Sequence, residues 1–89
     1  MTHLLRAKSM ASSPVFWGST GPGVQQLQRW LNLIAQRYGE VLFSREDGFY
    51  GEATAASVAS YQKAFGLPRT DLVDEATWNA IRATAEQEI

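Results

Sequence analysis

Four carboxylates crowd one stretch of the chain: Glu40, Glu46, Asp47 and Glu52. Paired carboxylates are the machinery of glycoside hydrolysis, where they stand roughly 5 to 9.5 Å apart across the scissile bond. Each of these residues has a plainer reading. Asp47 precedes Gly48, and an Asp-Gly pair makes a turn in which the aspartate bonds nearby backbone and the glycine takes positive φ. Glu52 follows Gly51. With Gly51 as N-cap, Glu52 falls in the first turn of a helix, where negative charge suits the dipole. Glu46-Asp47-Gly48 lacks the spaced oxygen ligands and distal glutamate of an EF-hand loop. The structural roles are favoured, and no catalytic carboxylate pair is expected.

Other chemistries find less. Ser19, Ser44, Ser57 and Ser60 have no usable base, since His3 is the sole histidine, and an acyl-enzyme needs one. One histidine and no cysteine exclude a disulfide framework, a Cys-ligated zinc site and a multi-His metal centre. No glycine-rich phosphate loop with its lysine is present. Neither a metal nor a cofactor is expected.

The elements that position these residues must come from a small domain. The chain has 89 residues, 45% hydrophobic and 11% aromatic with 19% charged, which is the composition of a folded globule. Its net charge of −1 comes with scattered basic residues, so neither nucleic acid nor an anionic membrane surface is an expected partner. No apolar run approaches the roughly 20 residues of a membrane span. Residues 1–13 read as lead-in or linker without the apolar region of a secretory signal, and residues 14–89 as the domain.

Three helices follow from the periodicity. Ser19 or Thr20 as N-cap, with Pro22 in the first turn, opens the first. It runs to about Tyr38, with Val24, Leu27, Leu31, Ile34 and Tyr38 on one stripe and Gln25, Arg29, Asn32 and Gln36 on a solvated face; Gly39 is the expected left-handed stop. The second runs from about Gly51 to Phe65, with Thr54, Val58, Tyr61 and Phe65 inward, ending at Gly66 before Pro68. Asp74 caps the third, which buries Thr77 and Ile81 with Trp78 at the edge. Val15-Phe16-Trp17 reads as an extended arm across the helices. Trp17 is taken first as core cover, with a ligand-facing position as the alternative. The architecture is all-α, a small three-helix bundle with short extended segments in the loops.

A repeat ties the second and third helices together. Glu75-Ala76-Thr77 matches Glu52-Ala53-Thr54 at an offset of 23 residues, Ile81 matches Val58, and Leu72-Val73 matches Phe49-Tyr50. The two extended pairs are expected to lie side by side. The second copy keeps the Glu-Ala-Thr helix start and not the Asp-Gly turn, so the shared part is architecture. Asp47, Gly48 and Tyr50, unique to the first copy, are where a ligand would be sought.

These motifs together resemble the type 1 peptidoglycan-binding domain, a three-helix module found beside cell-wall hydrolases. The matching residues are Gly21, Val24, Leu27-Gln28 and Leu31, then Asp47-Gly48-Phe49-Tyr50-Gly51 with Thr54 and Val58. Tyr61-Gln62, Gly66-Leu67-Pro68, Val73-Asp74, Thr77-Trp78 and Ile81 complete the set. The chain departs from the pattern at Thr70-Asp71, where a glycine is usual at the second position, and in a rather long loop from Gly39 to Glu46.

The resemblance implies non-catalytic binding of bacterial peptidoglycan, through its glycan strand or its stem peptides, by a monomeric module. It implies a covalently attached amidase, peptidase or glycosidase that the module holds near its polymer, in the extracellular space or cell envelope. Such a ligand calls for an aromatic platform ringed by polar donors. The candidates are Arg45, Asp47, Tyr50, Gln62, Arg69 and Trp78. Against them stand core roles for Tyr50 and Trp78, solvated charge for Arg45 and Arg69, a loop-carbonyl bond for Gln62 and turn formation for Asp47. The alternative function is a protein-interaction or pro-domain module packed on a partner enzyme domain.

Overall fold

Val24, Leu27, Leu31 and Ile34 recur at helical spacing, and all four are buried along one face of helix α1, Pro22–Arg37. In the computed structural model, which describes residues 15–70 and 72–88, two further helices close on that face: α2, Glu52–Ala64, and α3, Glu75–Glu86. The lead-in 1–13, with His3, and the positions of Pro14, Asp71 and Ile89 lie outside the described residues. Val58 and Tyr61 of α2 and Trp78, Ile81 and Ala85 of α3 complete the helical core. Tyr38, expected on the inward stripe, is half-buried at its edge. Each fully buried Leu or Ile contributes roughly 1.5–3 kcal/mol. Helices of three to four turns are marginal alone, so this shared apolar face, rather than intrinsic propensity, holds them.

Two short strands, β1 at Val15–Phe16 and β2 at Leu72–Val73, pair antiparallel with Val15 opposite Val73 and Phe16 opposite Leu72. This corrects the expectation that Leu72-Val73 lies beside Phe49-Tyr50. The arm runs between the two extended pairs and takes the backbone groups of both. The Gly18 N–H donates to the Tyr50 carbonyl at 2.8 Å, the Tyr50 N–H to the Ser19 carbonyl at 2.9 Å, and the Gly21 N–H to the Gly48 carbonyl at 2.9 Å. Thr20 bridges Phe49. The arm therefore joins both copies of the repeat.

Helix ends follow the sequence in part. Asp74 caps α3, accepting from the Thr77 N–H at 2.9 Å. Gly66 is left-handed at φ 72° beyond α2, and the Leu67 N–H returns to the Gln62 carbonyl at 2.8 Å. The N-cap of α1, however, is Gly21 at φ 116° and not Ser19 or Thr20. The Ser19 hydroxyl is used elsewhere, accepting from the Phe16 N–H at 3.1 Å. Gly39 is not left-handed either; α1 ends because Tyr38 turns extended at φ −113°.

Replacing Asp74 by alanine leaves the first amides of α3 without their side-chain acceptor. The expected loss is about 1 kcal/mol of folding stability, read as a lower urea midpoint at an unchanged slope.

Candidate functional site

Three amide side chains of α1, Gln25, Gln28 and Asn32, build the loop that follows. Gln28 is fully buried. Its Nε2 lies 3.1 Å from Asp47 Oδ1, 2.9 Å from the Phe49 carbonyl and 2.9 Å from Thr54 Oγ1. Two protons are thus shared among three acceptors, while Oε1 accepts from the Gly48 N–H at 2.8 Å. The chain of bonds continues outward: Thr54 Oγ1 lies 2.9 Å from Ser44 Oγ, and the Ser44 hydroxyl donates to the Arg45 carbonyl at 2.9 Å.

Asn32 grips the other end of the loop. Its Nδ2 donates to the Ser44 carbonyl at 2.8 Å and to Glu46 at 3.0 Å, and its Oδ1 accepts from the Ser44 N–H at 2.7 Å. Gln25 donates to the Glu46 carbonyl at 3.3 Å, and Arg29 stands 3.8 Å from the Glu46 carboxylate. Gln25 and Arg29 are exposed, in keeping with the solvated face read from the sequence, and Asn32 is half-buried; the same residues also fasten Ser44 and Glu46 to α1. An unpaired buried polar group is costly, and both amide atoms of the buried Gln28 find partners.

The expected turn role of Asp47 is what the structure shows. Its carboxylate accepts from the Phe49 N–H at 3.0 Å as well as from Gln28. The Phe49 N–H first, then the Gln28 amide, hold its carboxyl below the ordinary range, with Arg45 adding to the effect and desolvation opposing it. A general acid at neutral pH needs the opposite shift. No group of three or more His, Cys, Asp or Glu among the described residues is placed to hold a metal ion.

Two grooves flank the N-terminal half of α2. The first, about 380 Å³, is lined by Arg45, Asp47, Phe49, Gly51, Glu52, Ala53 and Thr54. The second, about 260 Å³, is lined by Trp17, Tyr50, Glu52, Ala55, Ala56, Ala59, Arg69 and Thr70. Glu52 lines both and so divides them.

The six candidates fall into three groups. Arg45 and Asp47 are exposed in the first groove, and Arg69 is exposed in the second. Tyr50 lines the second and is only 1% exposed. Gln62 is buried behind it, its amide 3.3 Å from both the Thr70 hydroxyl and the Thr70 N–H. It holds Thr70 of the groove lining in place, and no part of its own side chain reaches the surface. Trp78 lies apart, buried in an edge-to-face contact with Trp30 at 5.2 Å. The core reading of Tyr50 and Trp78 is the one their burial follows.

Trp17, Phe49 and Glu52 line the grooves and were not among the six. The signal for Phe49 was present: neighbours in an extended segment face opposite ways, so the inward turn of Tyr50 exposes Phe49. Trp17, taken first as core cover, is 53% exposed.

A family model described as "Putative peptidoglycan binding domain" matches residues 20–81. Among solved structures the chain is similar to the one titled "The crystal structure of SleB N-terminal domain". The TM-score is 0.67 at 27% identity, covering 82% of this chain and 94% of that one. No curated protein matches the chain. The matched segment includes every groove residue except Trp17.

Replacing Gln28 by leucine keeps the volume and removes the amide. It strands the Gly48 N–H and the Phe49 carbonyl, and the expected cost is about 3 kcal/mol in urea unfolding; stability equal to the parent would refute the hub. A second expectation concerns acid. Asp47 and Asp74 both titrate lower in the folded chain than is ordinary, Asp74 chiefly through the Thr77 N–H. The stability they confer is fully present above the unfolded-chain value near 4 and is lost as pH falls through the lower folded-state values. The urea midpoint should fall below about pH 4, and less steeply in an Asp47→Asn, Asp74→Asn double variant.

Proposed function

Because the chain belongs to the peptidoglycan-binding domain family, we propose that it binds bacterial cell-wall peptidoglycan without catalysis, through the paired grooves beside α2. It acts at the cell envelope or outside the cell, as a monomeric module that holds an attached amidase, peptidase or glycosidase close to its polymer. Tethering of this kind raises the effective concentration of substrate around an enzyme without new chemistry in the module.

One observation supports this reading above the others. Each groove combines an exposed aromatic side chain with a guanidinium, Phe49 with Arg45 and Trp17 with Arg69, and the two share the Glu52 carboxylate. Peptidoglycan offers sugar rings with apolar faces, hydroxyls, amides and stem-peptide carboxylates. An aromatic ring takes an apolar face, and an arginine takes a carboxylate in a forked pair of hydrogen bonds. Asp47 serves by shaping the first groove's wall, and Tyr50 and Gln62 by supporting the second.

A protein-interaction or pro-domain role is the second reading, and it too has an observation behind it. Leu42 and Phe43 are 52% and 59% exposed, on backbone fastened to α2. The Leu42 N–H donates to Ser60 Oγ at 2.9 Å, and its carbonyl accepts from Ser57 Oγ at 2.6 Å. Two apolar side chains held rigidly in solvent suit a partner surface.

Co-sedimentation with purified insoluble peptidoglycan separates the readings. The folded chain is expected in the pellet, and to return to the supernatant when soluble muropeptides compete. Arg45→Ala and Arg69→Ala should each weaken pelleting severalfold with melting unchanged, since both side chains are exposed. If the folded chain stays in the supernatant across wall types, peptidoglycan binding is refuted and the interaction reading gains.

A further inference from the structure

The second groove is built around a tryptophan that the fold holds out in solvent. Trp17 occupies the second position of a tight turn. The Ser19 N–H closes it on the Phe16 carbonyl at 2.9 Å, and the Phe16 N–H closes it again on Ser19 Oγ at 3.1 Å. Gly18 supplies the positive φ, 91°, that the third turn position demands. Its N–H ties the turn to the Tyr50 carbonyl. Leaving this much aromatic surface wet forgoes stabilisation that burial would give. Trp17 takes part in none of the ring contacts among the described residues, which join Trp30 to Trp78, Tyr38 to Phe65 and Tyr61 to Phe65. Phe49, the aromatic of the first groove, differs: the Cδ2–Cε2 edge of its ring lies over Gly51, so close that a Cβ there would fall 2.8 Å from Cε2.

The remaining walls define what fits. Three of the lining residues, Ala55, Ala56 and Ala59, carry methyl groups alone. At about 260 Å³ the groove is just under the size of ordinary small-molecule pockets, about 300–1,000 Å³. That suits one compact ring better than a run of peptide with side chains. The exposed polar residues of the lining are Glu52, an acceptor for hydroxyls, and Arg69 and Thr70. Thr70 is fixed by Gln62 and by its own bond to the Leu72 carbonyl at 2.6 Å. An exposed indole and three methyl groups in the company of an acceptor and donors are complementary to a pyranose ring. Such a ring is apolar on its face and carries hydroxyl, amide or carboxylate groups around its circumference.

We infer that the second groove is a saccharide subsite. One sugar ring of the glycan strand stacks on Trp17 in the alanine-lined groove, with Glu52 accepting from its hydroxyls and Arg69 donating to an amide or carboxylate oxygen on its edge. This rests on the peptidoglycan reading and selects, within it, the glycan strand over the stem peptide as the ligand of this groove. Trp17 is then a specificity-determining contact lying before the segment that the family model matches.

The test uses the whole chain and an amidase digest of purified peptidoglycan, which yields peptide-free glycan strands and free stem peptides. Glycan strands are expected to release the chain from insoluble peptidoglycan and to shift its tryptophan emission to the blue, whereas stem peptides do neither. Trp17→Ala should bind glycan strands roughly tenfold more weakly, with an unchanged melting temperature, and Trp17→Phe should recover most of the loss. The inference is overturned if stem peptides compete and glycan strands do not, or if Trp17→Ala binds strands like the parent chain. Pelleting with intact peptidoglycan in either of those cases leaves the broader function standing. Absence of pelleting by the parent chain overturns both. The competition arm needs no variant, so it decides even if a substitution disturbs folding.

Discussion

Two amide protons on Gln28 hold three acceptors at once, and the geometry of the candidate site depends on them. The donor is fully buried in α1, and its acceptors lie on the Asp47 side chain, the Phe49 backbone and the Thr54 side chain in α2. With the Gly48 N–H on Oε1, one side chain fixes the turn, the extended segment and the helix start that form the first groove. A buried amide is a demanding choice, because each unmet hydrogen bond costs more than a satisfied one gains. For the same reason it specifies one loop conformation. An apolar side chain at this position would fill the space and let the loop settle in several ways.

The arm extends that constraint to the second groove. Its backbone pairs with β2 on one side and with Phe49-Tyr50 on the other, so the two repeated units are registered through a third segment and not directly. The turn that reverses the arm is also what exposes Trp17. Both grooves are therefore built from local backbone accounting: the donors and acceptors of short extended segments find partners, and the side chains left outside become the lining. Glu52, on the first turn of α2, stands where the two meet.

The helices were legible in the sequence because their burial repeats every three to four residues. Val24, Leu27, Leu31 and Ile34 could belong to nothing else, and Asp74 and Gly66 announce their caps by chemistry. The loop was less legible. Gln25, Asn32 and Arg29 are polar residues at outward positions, and a one-dimensional pattern cannot distinguish a side chain facing water from one facing a polar loop. Gln28 flanks the apolar stripe, and its burial has a cause 19 to 26 residues further along the chain: the carbonyl and hydroxyl groups that residues 47–54 bring to it. The same limit explains the site. Arg45, Asp47 and Arg69 line the grooves, but the choice between Phe49 and Tyr50 depended on which face of an extended pair turned inward. Trp17 depended on a hydrogen-bonded turn that its own side chain does not encode. Trp78 looked accessible at the helix edge and is covered by Trp30, a contact between helices that no local pattern carries.

In the proposed function a loop locked by Gln28 and an arm locked by backbone pairing present two adjoining grooves to the cell-wall polymer. Amide chemical-shift mapping with soluble muropeptides reads that surface directly on the folded chain. The predicted result is a contiguous set of shifts over Arg45 to Ala56, at Arg69 and Thr70, and at the indole N–H of Trp17, with the Trp30 and Trp78 indoles unmoved. Shifts confined to the Trp30–Trp78 side, or to Leu42 and Phe43, would contradict it.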